Sequence, residues 1–113
     1  MKKIEAIIRP EKLDAVRQAL EDVGSCPGVT VSRVDGHGKQ KGVVQQFRGL
    51  EYNVSLLPKM KIEIVANEDD LRRCIDAIAD AARTGEVGDG KIFVSTIDDV
   101  LRIRTGETGA DAV

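Results

Sequence analysis

Aromatic residues make up only 3% of this 113-residue chain, and tryptophan is absent. So small a stock offers no platform for stacking bases, which argues against a surface for single-stranded nucleic acid. One histidine and two cysteines are too few for the usual tetrahedral zinc set. Cys26 and Cys74 form no C-x-x-C pair. Cys74 falls at a helix position and reads as a small buried hydrophobe, while Cys26 sits beside Pro27 in a turn. There is no excess of positive charge: the net charge is −2, whereas general nucleic-acid binding needs a basic surface to neutralise phosphates. No apolar run approaches the roughly 18 residues of a membrane helix. Lys2, Lys3 and Glu5 interrupt the only apolar stretch near Met1, so no signal peptide is read there. The expectation is a cytoplasmic chain with no direct nucleic-acid contact and no membrane insertion.

What is present fits one domain with one core, spanning residues 1–113. Lys3–Arg9 is short and apolar-rich with a proline behind it, and reads as a strand. Lys12–Val23 places Leu13, Val16, Leu20 and Val23 at helical spacing, with Gly24 as a C-terminal stop. After the Ser25–Gly28 turn cluster, Val29–Val34 is β-branched and reads as a second strand. Regular patterning then lapses until Lys59–Val65, where Met60, Ile62 and Ile64 point one way and Lys59, Lys61 and Glu63 the other. Asn67 suits a helix N-cap, and Glu68, Asp69 and Asp70 follow where the helix dipole favours negative charge. Leu71, Ile75, Ile78 and Ala82 make the helical stripe, and Gly85 closes it. Lys91–Thr96 is a further strand, and Leu101–Arg104 alternates again. The tail, about 106–113, is small and polar and reads as mobile. The order β-α-β-β-α-β is the ferredoxin-like α+β arrangement, with both helices on one sheet face. Ile7, Val65 and Phe93 make the other face half apolar, which points to a homo-oligomer.

Three stretches could carry chemistry. Gly85-Glu-Val-Gly-Asp-Gly-Lys91 resembles the outline of a phosphate-binding P-loop. However, Ile92 stands where Ser or Thr must hold magnesium, and the turn runs from helix to strand instead of strand to helix. Gly88 and Gly90 still allow backbone N–H groups to approach an anion, with Lys91 adding charge; an ordinary tight turn accounts for the same glycines. Arg102 and Arg104, two apart on one strand face, would lie roughly 7 Å from each other and suit neighbouring phosphates. A solvated face with Asp98 and Asp99 as partners is the plainer reading. The third stretch is the loop of about 37–57. Some twenty residues without regular pattern are unusual in so compact a domain and are commonly functional or disordered. Its glycine-rich, basic entry from Gly36 to Gly42 can wrap an anion, and it holds Tyr52, the only tyrosine. His37 is a lone loop histidine, more often solvated than catalytic. No serine or cysteine nucleophile has a plausible base.

Five segments resemble the PII signal-transduction proteins of nitrogen regulation, in order and in frame: Gly38-Lys-Gln-Lys-Gly42, Arg48-Gly-Leu-Glu-Tyr52, Leu57-Pro-Lys-Met-Lys-Ile-Glu-Ile64, Thr84-Gly-Glu-Val-Gly-Asp-Gly-Lys-Ile-Phe93 and Arg102-Ile-Arg-Thr-Gly-Glu107. The match runs from Lys2 to Glu107. The resemblance implies a non-enzymatic regulator: a homotrimer with three nucleotide sites between subunits, where ATP and ADP compete. It implies that Gly88, Asp89, Gly90 and Lys91 grip phosphates with Arg102 and Arg104, and that Ile7, Thr30, Gly36, His37, Gly38, Lys39 and Val65 line the rest of the nucleotide. It implies a second ligand, 2-oxoglutarate, bound with Mg²⁺ and ATP. Gln40 would ligate the metal beside the nucleotide, the backbone of Gly38, Lys39, Gln40, Lys41 and Gly42 would surround the ligand, and Lys59 would pair with its distal carboxylate. The long loop, the family's T-loop, would dock onto an ammonium transporter, a nitrogen-assimilation enzyme or a sensor kinase, with Tyr52 as its modification site.

The chain departs from the family's common pattern at Lys39 for Arg, Leu50 for a phosphorylatable serine, Phe47 for a second tyrosine, His37 for Phe, at Glu11, and in a longer Ser25–Gly28 turn. The runner-up is a PII-like adenylate or small-anion sensor without a 2-oxoglutarate response, serving transport or carbon assimilation. An acylphosphatase-like enzyme of the same fold would need an Arg–Asn pair in a phosphate loop, and Arg9-Pro-Glu-Lys12 offers neither glycine nor Asn. An RNA-binding module would need aromatics on the sheet, and Phe93 is the only candidate.

Overall fold

The computed structural model describes residues 1–38 and 56–113, together with the backbone of the strands at 44–47 and 50–53. Strand β1 (Lys2–Ile8) leads through a 3-10 turn at Pro10–Lys12 into helix α1 (Leu13–Val23). Then come β2 (Thr30–Gly36), β3 (Val44–Phe47), β4 (Leu50–Asn53), β5 (Leu57–Ala66), α2 (Glu68–Ala82) and β6 (Lys91–Thr96). The main sheet has the order β2-β5-β1-β6, with antiparallel pairing throughout. This is the ferredoxin-like fold read from the sequence.

Alternation builds the core. In β1 the residues Ile4, Ala6 and Ile8 are buried, and in β5 the residues Ile62, Ile64 and Ala66. These inward residues meet Val16 and Leu20 of α1 and Cys74, Ile78 and Ala82 of α2. Each helix thus sends one stripe at 3.6-residue spacing onto the same sheet face. The opposite face carries an ion-pair ladder in which Lys3 bridges Glu5 at 2.9 Å and Glu63 at 3.0 Å, and Lys61 approaches Glu63 at 3.6 Å. Gly24 ends α1 in the left-handed region at φ 77°, a conformation open to glycine at little cost.

Several local readings change. Leu101–Arg104 is not a strand: Leu101 makes one isolated bridge to Thr108, and the chain between them reverses. The reversal is held by Arg102 N–H to Glu107 O and Gly106 N–H to Arg102 O, both 2.8 Å. Gly106 at φ 75° permits it. The following residues form a second 3-10 turn, Gly109–Ala112, tied back by Gly109 N–H to Val100 O at 3.0 Å. Helix α2 ends at Ala82, before Gly85, and Asn67 occupies the N-cap position without a side-chain cap bond. Within the long loop, β3 and β4 pair as a separate hairpin in which Phe47 faces Leu50 and Gln45 faces Tyr52.

The two cysteines are not independent. Cys74 is fully buried, as the helical pattern suggested, yet it is joined by a disulfide to Cys26, across 48 residues of sequence. The turn that follows α1 brings Cys26 onto the inner side of α2, where it packs against the core. Spacing along the chain carries no trace of this proximity, which arises from α1 and α2 lying side by side.

Candidate functional site

A cleft of about 580 Å³ opens where the ends of β1, β2 and β5 meet the turn between α2 and β6. Its walls include Ile7, Gly36, His37, Gly38, Lys59 and Gly88 to Lys91. Its volume lies within the range of small-ligand sites. One wall is the glycine turn, and the other is the root of the long loop.

The turn is built around one carboxylate. Asp89 Oδ2 accepts from the N–H groups of Thr84 (2.8 Å) and Gly85 (2.9 Å), while Oδ1 accepts from the Thr84 hydroxyl and from Arg9 Nε (3.2 Å). Arg9 Nη2 also donates to Val87 O at 2.7 Å, so one guanidinium fork holds both arms of the turn. These donors, led by the Thr84 hydroxyl and N–H, hold the Asp89 carboxyl far below its ordinary value of 3.8. A carboxylate so saturated is a poor proton acceptor and serves as a strut.

Because that pKa is depressed in the folded chain, the stabilisation is fully present above 3.8 and is lost as pH falls toward the folded value. Asp89→Asn should therefore unfold at lower urea than the wild type at neutral pH. The gap should hold down to about pH 5 and narrow in stronger acid; a gap that widens on acidification contradicts this role.

Gly90 has a steric reason to be glycine. At φ 100°, a Cβ on it would lie 1.6 Å from the carbonyl oxygen of Ile7. The turn is thus laid directly against the end of β1. Lys59, on β5, reaches across and donates to Gly88 O at 2.9 Å. Burial and the neighbouring Arg9 both depress its pKa, opposed by Glu11 and Asp89. Lys59 and Lys91 thus bring positive charge to the cleft.

Of the residues read from sequence, Ile7, Gly36, His37, Gly38, Lys59, Gly88, Asp89, Gly90 and Lys91 come together here. Thr30 lies at the far end of β2 opposite Glu63, and Val65 is opposite Lys3; neither lines this cleft. Arg102 and Arg104 are also outside it. They do not share a strand face, because Arg102 lies at a reversal, where its guanidinium bonds Glu107 Oε1 (2.8 Å) and Asp111 O (3.3 Å) instead of Asp98 or Asp99. Lys39, Gln40, Lys41 and Gly42 lie outside the described residues, and Tyr52 is described only as backbone on β4. Sequence reasoning missed Arg9 and Thr84. An arginine ending a strand just before Pro10 points at the same sheet edge as the loops, which is the signal that was available.

Fold and cleft together define a ferredoxin-like α+β domain with a glycine-walled cleft, carrying Lys59 and Lys91 beside Glu86 and Asp89, at the root of a long loop. The family model described as Nitrogen regulatory protein P-II matches residues 1–107. The proteins of that name from Bradyrhizobium diazoefficiens and Azospirillum brasilense are 58% and 55% identical to this chain over the full length of both partners. Nitrogen regulatory protein P-II 2 of Methanothermobacter thermautotrophicus is 54% identical over the whole chain and 97% of its own length. This chain belongs to the nitrogen regulatory protein P-II family. Its relatives carry the name of a regulator, not of an enzyme, and among the described residues no helix is long and apolar enough to cross a membrane.

Proposed function

We propose that this chain is a cytoplasmic, non-catalytic sensor of ATP, ADP and 2-oxoglutarate that controls nitrogen-assimilation partners through its loop 37–57. The observation that carries this reading is the shared cleft: the glycine turn and the root of the loop are its two walls. A ligand held by both walls has differential contacts with different loop conformations, which is what a population shift requires.

In this reading the N–H groups of the Gly88–Lys91 turn and the Lys91 ammonium meet nucleotide phosphates, while Lys59 meets the distal carboxylate of 2-oxoglutarate. Among the described residues no group of three or more His, Cys, Asp or Glu side chains is placed to hold a metal. Magnesium commonly takes few protein ligands beside nucleotide phosphates, so Gln40 with phosphate oxygens is a fitting set. Bound there, the cation would neutralise phosphate charge. Thr30, Val65, Arg102 and Arg104 stand away from the cleft of a single chain, and a homotrimer would bring the copies from a neighbouring subunit to it. Phe93 and Ile103, 53% and 94% exposed, supply apolar surface for that assembly. Partners of the loop would be an ammonium transporter, an assimilation enzyme or a sensor kinase, with Tyr52 the residue open to modification.

Titration calorimetry with ATP, ADP and 2-oxoglutarate, with and without Mg²⁺, is the direct test. Gln40→Ala should abolish the 2-oxoglutarate response and leave ADP affinity largely intact. Absence of ATP binding at millimolar concentration sinks the proposal. The hydrogen bond from Lys59 to Gly88 O and the nearby Glu11 charge favour a second reading, an adenylate or small-anion sensor without 2-oxoglutarate. ATP binding that 2-oxoglutarate leaves unchanged would select it.

A further inference from the structure

Nothing in the ligand cleft uses the Cys26–Cys74 bridge, and its two ends have unequal surroundings. Cys74 is 0% exposed and belongs to the apolar core. Cys26 is only partly buried, in the short segment between Gly24, which ends α1, and Thr30, which starts β2. The preceding residue, Ser25, has a buried hydroxyl without a hydrogen-bond partner. Cys26 is therefore the less enclosed end of the bridge.

We propose that Cys26 is a thiol-exchange site, with Cys74 as its buried resolving partner, and that the pair responds to the thiol–disulfide balance around the protein. Exchange needs a thiolate that can reach a disulfide sulfur in line with the bond being broken. Starting from the reduced chain, the Cys26 thiolate attacks a small-molecule disulfide such as glutathione disulfide. One S–S bond forms between Cys26 and glutathione, and one glutathione leaves as thiolate. Cys74, deprotonated as it reacts, then attacks the Cys26 sulfur, closes the internal bridge and expels the second glutathione. Two protein thiols are oxidised and one disulfide is reduced to two glutathione thiols, so atoms and electrons balance. The reverse route begins with a glutathione thiolate attacking the Cys26 sulfur of the bridge, which forms the Cys26–glutathione disulfide and expels Cys74 as a thiolate into an apolar setting. Such a setting disfavours the thiolate and slows opening.

The bridge ties α2 to the segment that feeds β2, whose other end carries Gly36 at the cleft. A redox input here is separate in location and chemistry from the ligand input.

The full-length chain is reduced, freed of reductant and exposed to glutathione disulfide, with acid quenching and peptide mass mapping over time. The wild type should pass through a transient adduct on Cys26 and end with the internal bridge and no retained glutathione. Cys74→Ala should trap the Cys26 adduct. Cys26→Ala should form an adduct on Cys74 about tenfold more slowly or worse, because buried thiols react poorly. The wild-type time course decides the matter by itself if Cys74→Ala does not fold. A first adduct on Cys74, a stably glutathionylated wild type, or a pair inert to glutathione in both redox states overturns the proposal.

Discussion

Gly90→Ala should lower the stability of the chain by about 3 kcal/mol or more and abolish measurable ATP binding. The new methyl carbon would stand 1.6 Å from Ile7 O and 2.7 Å from Ile7 C, with Gly90 at φ 100°. A flexible side chain could move aside, but these are backbone atoms. Ile7 is paired with Lys61 on one side and Lys91 on the other, so the end of β1 is held by both neighbouring strands. The turn must therefore move off the sheet. When it does, Arg9 loses Asp89 and Val87, and Lys59 loses the Gly88 carbonyl. The cleft loses the wall proposed to receive phosphate. Urea unfolding and ATP calorimetry measure the two effects together. Gly28→Ala is the matched control, since nothing lies within 4 Å of the added carbon and its φ is not positive. A Gly90→Ala protein as stable as that control, with ATP affinity intact, would refute the steric account.

The second large effect should come from opening the disulfide. A closed loop set by a separation of 48 residues restricts the unfolded chain enough to contribute about 4 kcal/mol in the chain-entropy account. Reduction should shift the urea midpoint down by a large part of the wild-type stability, since small domains have only about 5–15 kcal/mol in total. Cys26→Ser should reproduce the reduced midpoint and show no further response to reductant. Cys74→Ala should fall lower still, because it also removes a fully buried side chain from the core. Coincident midpoints for the oxidised and reduced wild type would refute a stabilising bridge.

Sequence patterning located the regular elements well for a physical reason: burial on one face imposes period 2 on β1 and β5 and a helical stripe on α1 and α2. Lys91–Thr96 matches the reading residue for residue. The same rule misled at Leu101–Arg104, where four alternating residues imitate a strand. What decides that segment is the reversal at Gly106 and the Glu107 carboxylate that takes Arg102. The hairpin of β3 and β4 was illegible because Gln45 and Gln46 break apolar alternation on a ribbon outside the main sheet. For the site, Gly88, Gly90 and Lys91 were legible from turn chemistry, and the Lys59 side of β5 from its alternation. Arg9 was legible only as an arginine at a strand end before Pro10; its pairing with Asp89 and Val87, about eighty residues away, leaves no pattern in the sequence. The cysteine pairing failed in the same way: tertiary neighbours leave no periodic signal.

The position of β1 bears on how the chain comes into being. β1 precedes both of its partners along the chain and lies between them: Lys2 sits opposite Ala66 on one edge and Thr96 on the other. Neither edge of β1 has a partner until β5, Leu57–Ala66, has been made. Closure of the sheet therefore waits for β6, Lys91–Thr96, and is governed by long loops that must be brought together before any pairing rewards them. Until then Ile4, Ala6 and Ile8 have no sheet to belong to, and the nascent chain carries its future centre uncovered.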